Sequence, residues 1–383
     1  MNHKLASAIA LSSTLLFSHT SYAQDNSLSA AQKQAASEVE QAVKVMPTQS
    51  DVTIPWGMVQ LPNNDLLVTE RSGKLRLIRD GVMIDRDIEG LPNVVVNNQG
   101  GLLDVALHPE YSDNGWIYFT FSSDKGEGKG SNTALIRARL KDFSLVDLQW
   151  LYKGAENSEK GHHYGSRITF DKQGFVYFSI GDRGQRDVLP QDLSVDGGKV
   201  YRLHDDGRIP NDNPFVDVAG AKTAIFSYGH RNPQGLATDP NTGRIWAHEH
   251  GPKGGDELNL IEAGKNYGWP VISYGVNYNG TSFTDLTRQD GMEQPKLYWD
   301  PSIAPSGMTF VTSSKYPKWQ NKILLGSMKF SHLVLITLNG DEVVEQQKVL
   351  DGIGRVRNVY QGRDGFIYVG IDGQGIKKLV PQP

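Results

Sequence analysis

The segments DKQGFVYFSI at residues 171–180 and GRDGFIYVGI at residues 362–371 share one pattern. A polar turn ends in glycine, and a continuous aromatic and β-branched strand follows it. Another short apolar strand comes before each turn, RITF in one case and VRNVY in the other. This strand–turn–strand unit occurs six times, with little helical periodicity between the copies. Its second strands are DLLVTE, WIYFTF, FVYFSI, RIWAHE, KILLGS and FIYVGI, which begin at residues 65, 116, 175, 244, 322 and 366.

The six repeats predict an all-β chain that folds as a six-bladed β-propeller. A β-sandwich would need more closely spaced strands. In each unit the unusual polar residues come just before or at the start of the first strand. Because successive blades are related by rotation about one axis, these residues are expected to form a ring around one mouth of the central channel. They are Trp56, Gln99, His162 with His163, Arg231 with Asn232, Ser302 with Ser306, and Arg355 with Arg357.

The N-terminal residues predict export. Residues 1–23 have a basic start at Lys4, a short apolar middle and a small-x-small end, which is typical of a cleavable signal peptide. Residues 24–50 are expected to be an arm or linker, and residues 51–383 the propeller. No later segment is apolar enough to span a membrane. The protein is therefore expected in the periplasm.

Composition narrows the function further. The chain has no cysteine, which excludes disulfides and thiolate metal sites. Its net charge of −4 argues against nucleic acid as a partner. The cations at the ring, Arg231, Arg355 and Arg357 with Lys329 expected nearby, favour a small polyanionic ligand, since arginine binds carboxylates in bidentate fashion.

His163 is the best candidate for a general base, because an imidazole titrates near neutral pH. A structural hydrogen-bonding role is the alternative. His162 either orients a substrate or faces away from it. Asp182 either bonds substrate hydroxyls, orients His163 or serves as a turn residue.

The stretch from Ser227 to Pro270 is rich in Gly and Pro and is expected to form rigid loops that present ligands. Its HEH sequence, residues 248–250, lacks the helical spacing of a zinc site. With no cysteine and many oxygen donors, calcium is the favoured metal. The carbonyl groups of Gly251 and Pro252 are candidate ligands. Glu257 and the Tyr267 carbonyl are candidates for a second calcium, although Glu257 could equally stabilise its loop.

Several longer motifs carry a family resemblance. They are NQGGLLDVALHPEY, GHRNPQGLA, HGPKGGDELNLI, NYGWP, DPSIAPSGM and GRVRNV, which lie between residues 98 and 359. With these motifs the chain resembles the soluble aldose sugar dehydrogenases that depend on pyrroloquinoline quinone (PQQ), which are relatives of soluble glucose dehydrogenase. The resemblance covers nearly the whole chain from about Val52. It implies a six-bladed propeller with PQQ over the channel mouth, held by calcium and basic residues.

The resemblance also implies roles for individual residues. It makes His163 the catalytic base and Arg231, which contacts the quinone, a second catalytic residue. Asn232, Ser302, Lys329, Arg355 and Arg357 are implied to contact PQQ, and Gly251 and Pro252 to bind the cofactor's calcium. Gln99 is implied to lie at both cofactor and substrate, with His162 and Asp182 on the substrate side.

Departures from the glucose enzyme's pattern favour the broad-specificity aldose branch. His162 stands where that enzyme has an acid, HEHGP replaces SEQGP, and the long loops before the WP-type motif and near the C-terminus are shorter. Ser302, where that enzyme has a Thr, is a milder departure. The implied reaction is hydride transfer from the anomeric carbon to PQQ, which gives a lactone, with an unidentified electron acceptor and a monomer or weak dimer. The alternatives are a calcium-dependent propeller lactonase or hydrolase, and a propeller that binds a partner without catalysis.

Overall fold

The computed structural model describes residues 42–48 and 51–382. The expected signal peptide, residues 1–23, lies outside the described residues, as does most of the expected arm. The described chain forms six four-stranded antiparallel sheets, which confirms the predicted six-bladed propeller. No helix in this part of the chain is long and apolar enough to cross a membrane.

In blades I to V the strands follow one another in chain order, and blade VI takes its outer strand from the N-terminal side. Blade I contains β2 (Pro55–Gln60), β3 (Leu66–Glu70), β4 (Lys74–Arg79) and β5 (Val82–Met83); blade II contains β6 (Leu102–Leu107), β7 (Ile117–Ser123), β8 (Asn132–Lys141) and β9 (Ser144–Lys153), with the short helix α1 (Tyr111–Asn114) after β6; blade III contains β10 (Ile168–Phe170), β11 (Val176–Ile180), β12 (Lys199–Leu203) and β13 (Ile225–Tyr228). Blade IV contains β14 (Pro233–Thr238), β15 (Ile245–Glu249), β16 (Asp256–Ile261) and β17 (Leu297–Trp299); blade V contains β18 (Pro305–Phe310), β19 (Ile323–Ser327), β20 (His332–Asn339) and β21 (Glu342–Val349); blade VI contains β22 (Val356–Gln361), β23 (Ile367–Ile371), β24 (Gly375–Pro381) and β1 (Val43–Pro47).

The outer strand of blade VI comes from the other end of the chain. Strand β1 pairs antiparallel with β24, from Val43 opposite Pro381 to Pro47 opposite Lys377. The sequence-based boundary at residue 51 placed this segment in the arm, whereas the pairing places it inside the propeller. The boundary was wrong because blade VI supplies only three consecutive strands and needs a fourth from the N-terminal side to close the ring.

The continuous apolar strands reflect burial on both faces of each blade. In β7, Tyr118 packs between blades II and III, whereas its neighbour Phe119 packs between blades I and II. Alternate side chains of a strand point to opposite faces, so a blade that lies between two others needs apolar residues at consecutive positions. The buried core is accordingly divided among the six interfaces between adjacent blades.

The first strands of the blades contact one another around the central channel. A cavity of about 330 Å³ lies along them and is lined by Arg167 and Asp104 among others. These two residues form a buried ion pair, with 2.9 Å between Arg167 Nη1 and Asp104 Oδ1. The other Asp104 oxygen accepts the backbone N–H of Ile168. Asp104 belongs to blade II and Arg167 directly precedes β10 of blade III, so the pair ties these two blades together.

Arg167 also binds three further blades. It donates to the carbonyl groups of Trp56 in blade I, Gln234 in blade IV and Arg357 in blade VI, at 3.1, 2.8 and 3.1 Å. Its guanidinium lies over the Trp56 ring, 4.1 Å from the centroid. One side chain, 4% exposed, thus connects five of the six blades at the axis. Sequence analysis did not identify Arg167, because an arginine beside a strand carries no sign of such distant partners.

We predict that Arg167→Ala destabilises the fold by about 3–5 kcal/mol, because it leaves Asp104 as a buried, unpaired charge. The free energy of unfolding from urea denaturation measures this. Arg208→Ala, which breaks an ion pair between the exposed Arg208 and Asp206, is the matched control and should change little. An equal loss of unfolding free energy in both variants would show that Arg167 does not hold the blades together.

Candidate functional site

The polar residues that precede the first strands meet at one mouth of the channel, around an open pocket of about 670 Å³. The pocket is lined by six of the residues singled out from the sequence: Gln99, His162, His163, Asp182, Arg231 and Pro252. The other predicted site residues lie outside its lining, although contacts described below connect most of them to it. Six of the predicted residues therefore lie around one pocket, although they are far apart in the sequence.

His163 and Asp182 form the polar centre of the pocket. The His163 Nδ1 atom lies 2.6 Å from Asp182 Oδ1, which also accepts the backbone N–H of Gly184 at 2.7 Å. Asp182 Oδ2 accepts the indole N–H of Trp269 at 2.8 Å. Both carboxylate oxygens are therefore engaged, and the side chain is 1% exposed. Of the three roles considered for Asp182, this geometry favours orienting His163 and leaves no carboxylate oxygen unbonded for a substrate hydroxyl.

The backbone at His163 is held in an uncommon conformation. Its φ angle is +58°, a left-handed value that few residues other than glycine adopt. The backbone N–H of His163 donates to Gln99 Oε1 at 2.9 Å. Gln99, expected at the cofactor and substrate, therefore also fixes the backbone of His163. Strained backbone that is held by specific contacts is typical of functional sites.

His163 is neutral at physiological pH. Burial and then the positive charge of Arg231 lower the pKa of its imidazole to about 4, and Asp182 only partly offsets them. Burial alone raises the pKa of Asp182, but the hydrogen bond from His163 and the positive charge of Arg231 bring it below its ordinary value. The Asp182 carboxylate is thus ionised and accepts a hydrogen bond from Nδ1–H of His163, which leaves Nε2 as the ring nitrogen that can accept a proton.

The predicted neighbour His162 also lines the pocket. Its ring lies edge-on to that of His163, with 4.6 Å between centroids, and its Nδ1 contacts the Lys160 carbonyl at 2.9 Å. Its carbonyl oxygen accepts a hydrogen bond from the buried Arg183. His162 therefore does not face away from the site.

Arg231 and Asn232 enter the site from the start of blade IV. The Arg231 guanidinium donates to the His250 carbonyl at 3.0 Å, and its backbone N–H donates to the buried Glu249 carboxylate at 2.6 Å. Asn232 accepts the Gly165 N–H at 3.0 Å through Oδ1. Its Nδ2 is buried without a hydrogen-bond partner among the described residues. Such an orphaned donor in a polar site points to a missing ligand.

The proposed calcium ligands Gly251 and Pro252 follow directly in the chain. Both are buried, and the Gly251 N–H is fixed by Asp256 Oδ1 at 2.8 Å. Ser302 bridges this loop, since its hydroxyl accepts the Gly254 N–H at 3.1 Å and lies 3.4 Å from the Pro252 carbonyl. The structure thus places Ser302 against the predicted calcium loop.

A cationic arc continues around the mouth on blades V, VI and I. Arg355 and Arg357 share the carboxylate of Asp372, with contacts of 3.1 and 2.7 Å to its Oδ2. Lys329 is exposed on the loop between β19 and β20, where its backbone N–H donates to Ile303 beside Ser302. Two predicted cations, Arg355 and Arg357, therefore share one anion, and Lys329 lies on the neighbouring blade. Arg357 is also the residue whose carbonyl accepts from the channel arginine.

Arg71 joins this arc and was not predicted. Burial and the neighbouring Arg357 guanidinium lower its pKa, while Asp372 opposes them. The Arg71 carbonyl lies against Gly101, where any Cβ would clash with it. The signal for Arg71, the TER sequence at the end of β3, is too short to distinguish it from an ordinary strand end. Trp269 was part of a quoted motif, but nothing in the sequence connected it with Asp182.

The second candidate metal site lies behind Arg231. Glu257 and Tyr267 line a small cavity of about 10 Å³, together with Glu249. Asn259 Nδ2 donates to both carboxylates, at 3.1 Å to Glu257 and 3.2 Å to Glu249. Burial and the neighbouring Glu249 raise the pKa of Glu257 to about 8. The arrangement is compatible with either role considered for Glu257, a metal ligand or a loop contact.

The two histidines of the HEH sequence differ in their surroundings, since only His250 lines this cavity. His248 is fully buried, and neither of its ring nitrogens has a partner among the described residues. His250 Nε2 contacts the Pro305 carbonyl at 2.7 Å. Within the described residues no group of three His, Cys, Asp or Glu side chains is arranged to hold a metal.

We predict that the His163 imidazole of the cofactor-free protein titrates near pH 4 by NMR. Arg231→Gln should raise this pKa and Asp182→Asn should lower it, because Arg231 disfavours the imidazolium and Asp182 favours it. Arg208→Gln, on an exposed loop, is the control. Since an unfolded histidine titrates near pH 6.5, the fold loses stability from His163 as pH falls from 6.5 towards 4. Titration of wild-type His163 near 6.5 would contradict the buried geometry.

Comparisons with known proteins agree with this architecture. Residues 52–379 match the Glucose / Sorbosone dehydrogenase family. The chain is 39% identical to aldose sugar dehydrogenase YliI of Escherichia coli K12, across 89% of this chain and 93% of that protein. The apo-form structure of the soluble E. coli aldose sugar dehydrogenase superimposes with a TM-score of 0.85 at 38% identity, covering 89% of this chain and all of that one.

A third relative was solved with its cofactor. The PQQ-bound aldose sugar dehydrogenase of Streptomyces coelicolor has a TM-score of 0.72 and 27% identity, and the match covers 90% of this chain and 99% of that one. The chain belongs to the Glucose / Sorbosone dehydrogenase family.

Proposed function

We propose that this protein is a PQQ- and calcium-dependent dehydrogenase that oxidises aldose sugars at the anomeric carbon to lactones. The observation that carries the proposal is the neutral His163, held by ionised Asp182 in a pocket that it shares with Arg231. A base beside a fixed cation suits the oxidation of an alcohol, in which the hydroxyl oxygen loses a proton and the carbon loses a hydride.

The residues of the mouth fit PQQ. This cofactor carries three carboxylates, and the arc of Lys329, Arg355 and Arg357 offers more positive charge than Asp372 neutralises. The unpartnered Nδ2 of Asn232 supplies a donor of the kind that a quinone carbonyl accepts. The PQQ-bound Streptomyces relative supports the same cofactor here.

Calcium fits the carbonyl groups of Gly251 and Pro252, because calcium prefers oxygen ligands. Two carbonyls do not fill a shell of six to eight ligands, so the cofactor's own oxygens and water would have to supply the rest. For the second site, the Glu257 carboxylate and the Tyr267 carbonyl beside the 10 Å³ cavity are the proposed ligands. A bound cation there would compensate the two neighbouring carboxylates of Glu257 and Glu249.

The chain's own residues account for the proton and for the charge. PQQ, when bound, supplies the acceptor for the hydride that leaves the anomeric carbon. His163 Nε2 takes the proton of the anomeric hydroxyl, and Asp182 stabilises the imidazolium that results. Arg231 lies where it stabilises negative charge that develops during the reaction, and Gln99 and His162 lie where they can bond sugar hydroxyls.

The location and partners follow from the same proposal. The expected signal peptide of residues 1–23 would export the chain to the periplasm, where small aldoses and a separate electron acceptor are accessible. A monomer or weak dimer is sufficient, since the proposed catalytic and cofactor residues all come from one chain.

We predict that the protein loaded with PQQ and calcium reduces a redox dye in the presence of several aldoses. His163→Ala should retain PQQ through gel filtration but lose at least about 100-fold in kcat, because the base is removed and the cofactor contacts remain. His204→Ala, far from the pocket lining, is the control. Omission of calcium should weaken quinone retention.

Two results would contradict the proposal. Retention of PQQ without turnover of any aldose would mean that the family fold serves another reaction here. Loss of PQQ binding in His163→Ala would mean that His163 holds the cofactor instead of acting as the base.

A further inference from the structure

An uncovered tyrosine stands in the wall of the catalytic pocket. Tyr278 lines the same pocket as His163 and is 74% exposed. No side-chain hydrogen bond, ring contact or cation contact involves it among the described residues. By contrast, the exposed ring of Tyr298 stacks on Tyr274 with 3.9 Å between centroids. Val188, 57% exposed, lines the pocket as well. The pocket wall thus presents apolar surface that no part of the described chain covers.

Backbone hydrogen bonds hold the turn that carries Tyr278, both within the turn and at its base. The Asn277 N–H donates to the Thr281 carbonyl at 2.9 Å, and the Gly280 N–H donates to the Asn277 carbonyl at 2.8 Å. At its base, Val276 and Lys253 exchange two backbone hydrogen bonds of 3.0 Å. Lys253 directly follows the predicted calcium loop. Tyr278 is therefore presented at a fixed place relative to that loop.

A chain of side-chain contacts also links the turn to the catalytic base. Arg186 Nη1 donates to Asn277 Oδ1 at 2.8 Å, and its guanidinium lies over the Phe283 ring at 4.5 Å. Phe283 packs edge-on against Trp269, the indole that bonds Asp182. The aromatic wall and the acid that orients His163 thus belong to one connected structure. Arg186 and Asn277 add polar groups beside the exposed ring.

We propose that Tyr278 forms a second sugar subsite, which binds the next ring of a reducing disaccharide or oligosaccharide whose first ring lies at His163. This inference rests on the proposed function. The C–H face of a pyranose is apolar and packs on an aromatic face, while its rim hydroxyls bond polar neighbours such as Arg186 and Asn277. Tyrosine suits this task because it supplies a large contact area at low conformational cost.

The test compares cellobiose with glucose in the loaded enzyme. Tyr278→Ala should lower the ratio of kcat/KM for cellobiose to that for glucose by about three- to tenfold, mainly through KM, since a stacked ring is lost. Tyr278→Phe keeps the ring and should keep most of the ratio. Val344→Ala, on the outer strand of blade V and 57% exposed, is the control. An unchanged ratio in Tyr278→Ala, or equal losses in Tyr278→Phe, would overturn the subsite.

A binding measurement separates this inference from the proposed function. In saturation-transfer NMR with cellobiose and the cofactor-free protein, both rings should receive saturation from the wild type, and the second ring should lose it in Tyr278→Ala. Identical transfer to the second ring in both proteins would overturn the subsite. If no aldose is oxidised by the loaded wild type, the proposed function fails and the NMR result alone decides the role of Tyr278.

Discussion

The site depends on one buried ion pair in the channel. Arg167 and Asp104 lie below the mouth, and the same guanidinium holds carbonyl groups of blades I, IV and VI. Two of these carbonyls belong to Gln234, close after Asn232, and to Arg357 of the cationic arc. The site of a propeller lies on the strand ends of separate blades. The distances between these ends therefore depend on the contacts that hold the blades together at the axis. The pair thus joins fold stability to the geometry of the mouth.

Most of the fold could be predicted because the physics is local. A blade between two others must bury both faces, and strands such as β11 and β23 therefore read as continuous apolar runs after a turn. Strand β1 could not be predicted in the same way. Its segment, VKVMP, is only partly buried, has no glycine, proline or asparagine just before it in the sequence, and pairs with a strand more than 300 residues away. The strand that closes the ring is determined by a partner far away in the sequence, so no local pattern identifies it.

Part of the site could be predicted because its residues occupy the same position in each blade, just before the first strand. The positions before the first strands identified His163, Arg231 and Arg357 without knowledge of their contacts. Contacts between distant residues were not predictable, and they decide the chemistry. Trp269 and Gly184 donate hydrogen bonds to the two Asp182 carboxylate oxygens, and these bonds hold the carboxylate in position to orient His163. Arg231 helps to lower the pKa of the imidazole, and in the proposed reaction the same cation would offer positive charge to the reacting oxygen. The base and the cation are a single electrostatic unit.

The central claim is that this mouth holds a quinone that an aldose reduces. The most direct measurement is the absorbance spectrum of the protein loaded with PQQ and calcium, recorded without oxygen before and after one equivalent of glucose. We expect the bound quinone to be converted to its reduced form in a single turnover, in proportion to the sugar added. A spectrum that stays unchanged with glucose and other aldoses, while the quinone remains bound, would contradict it.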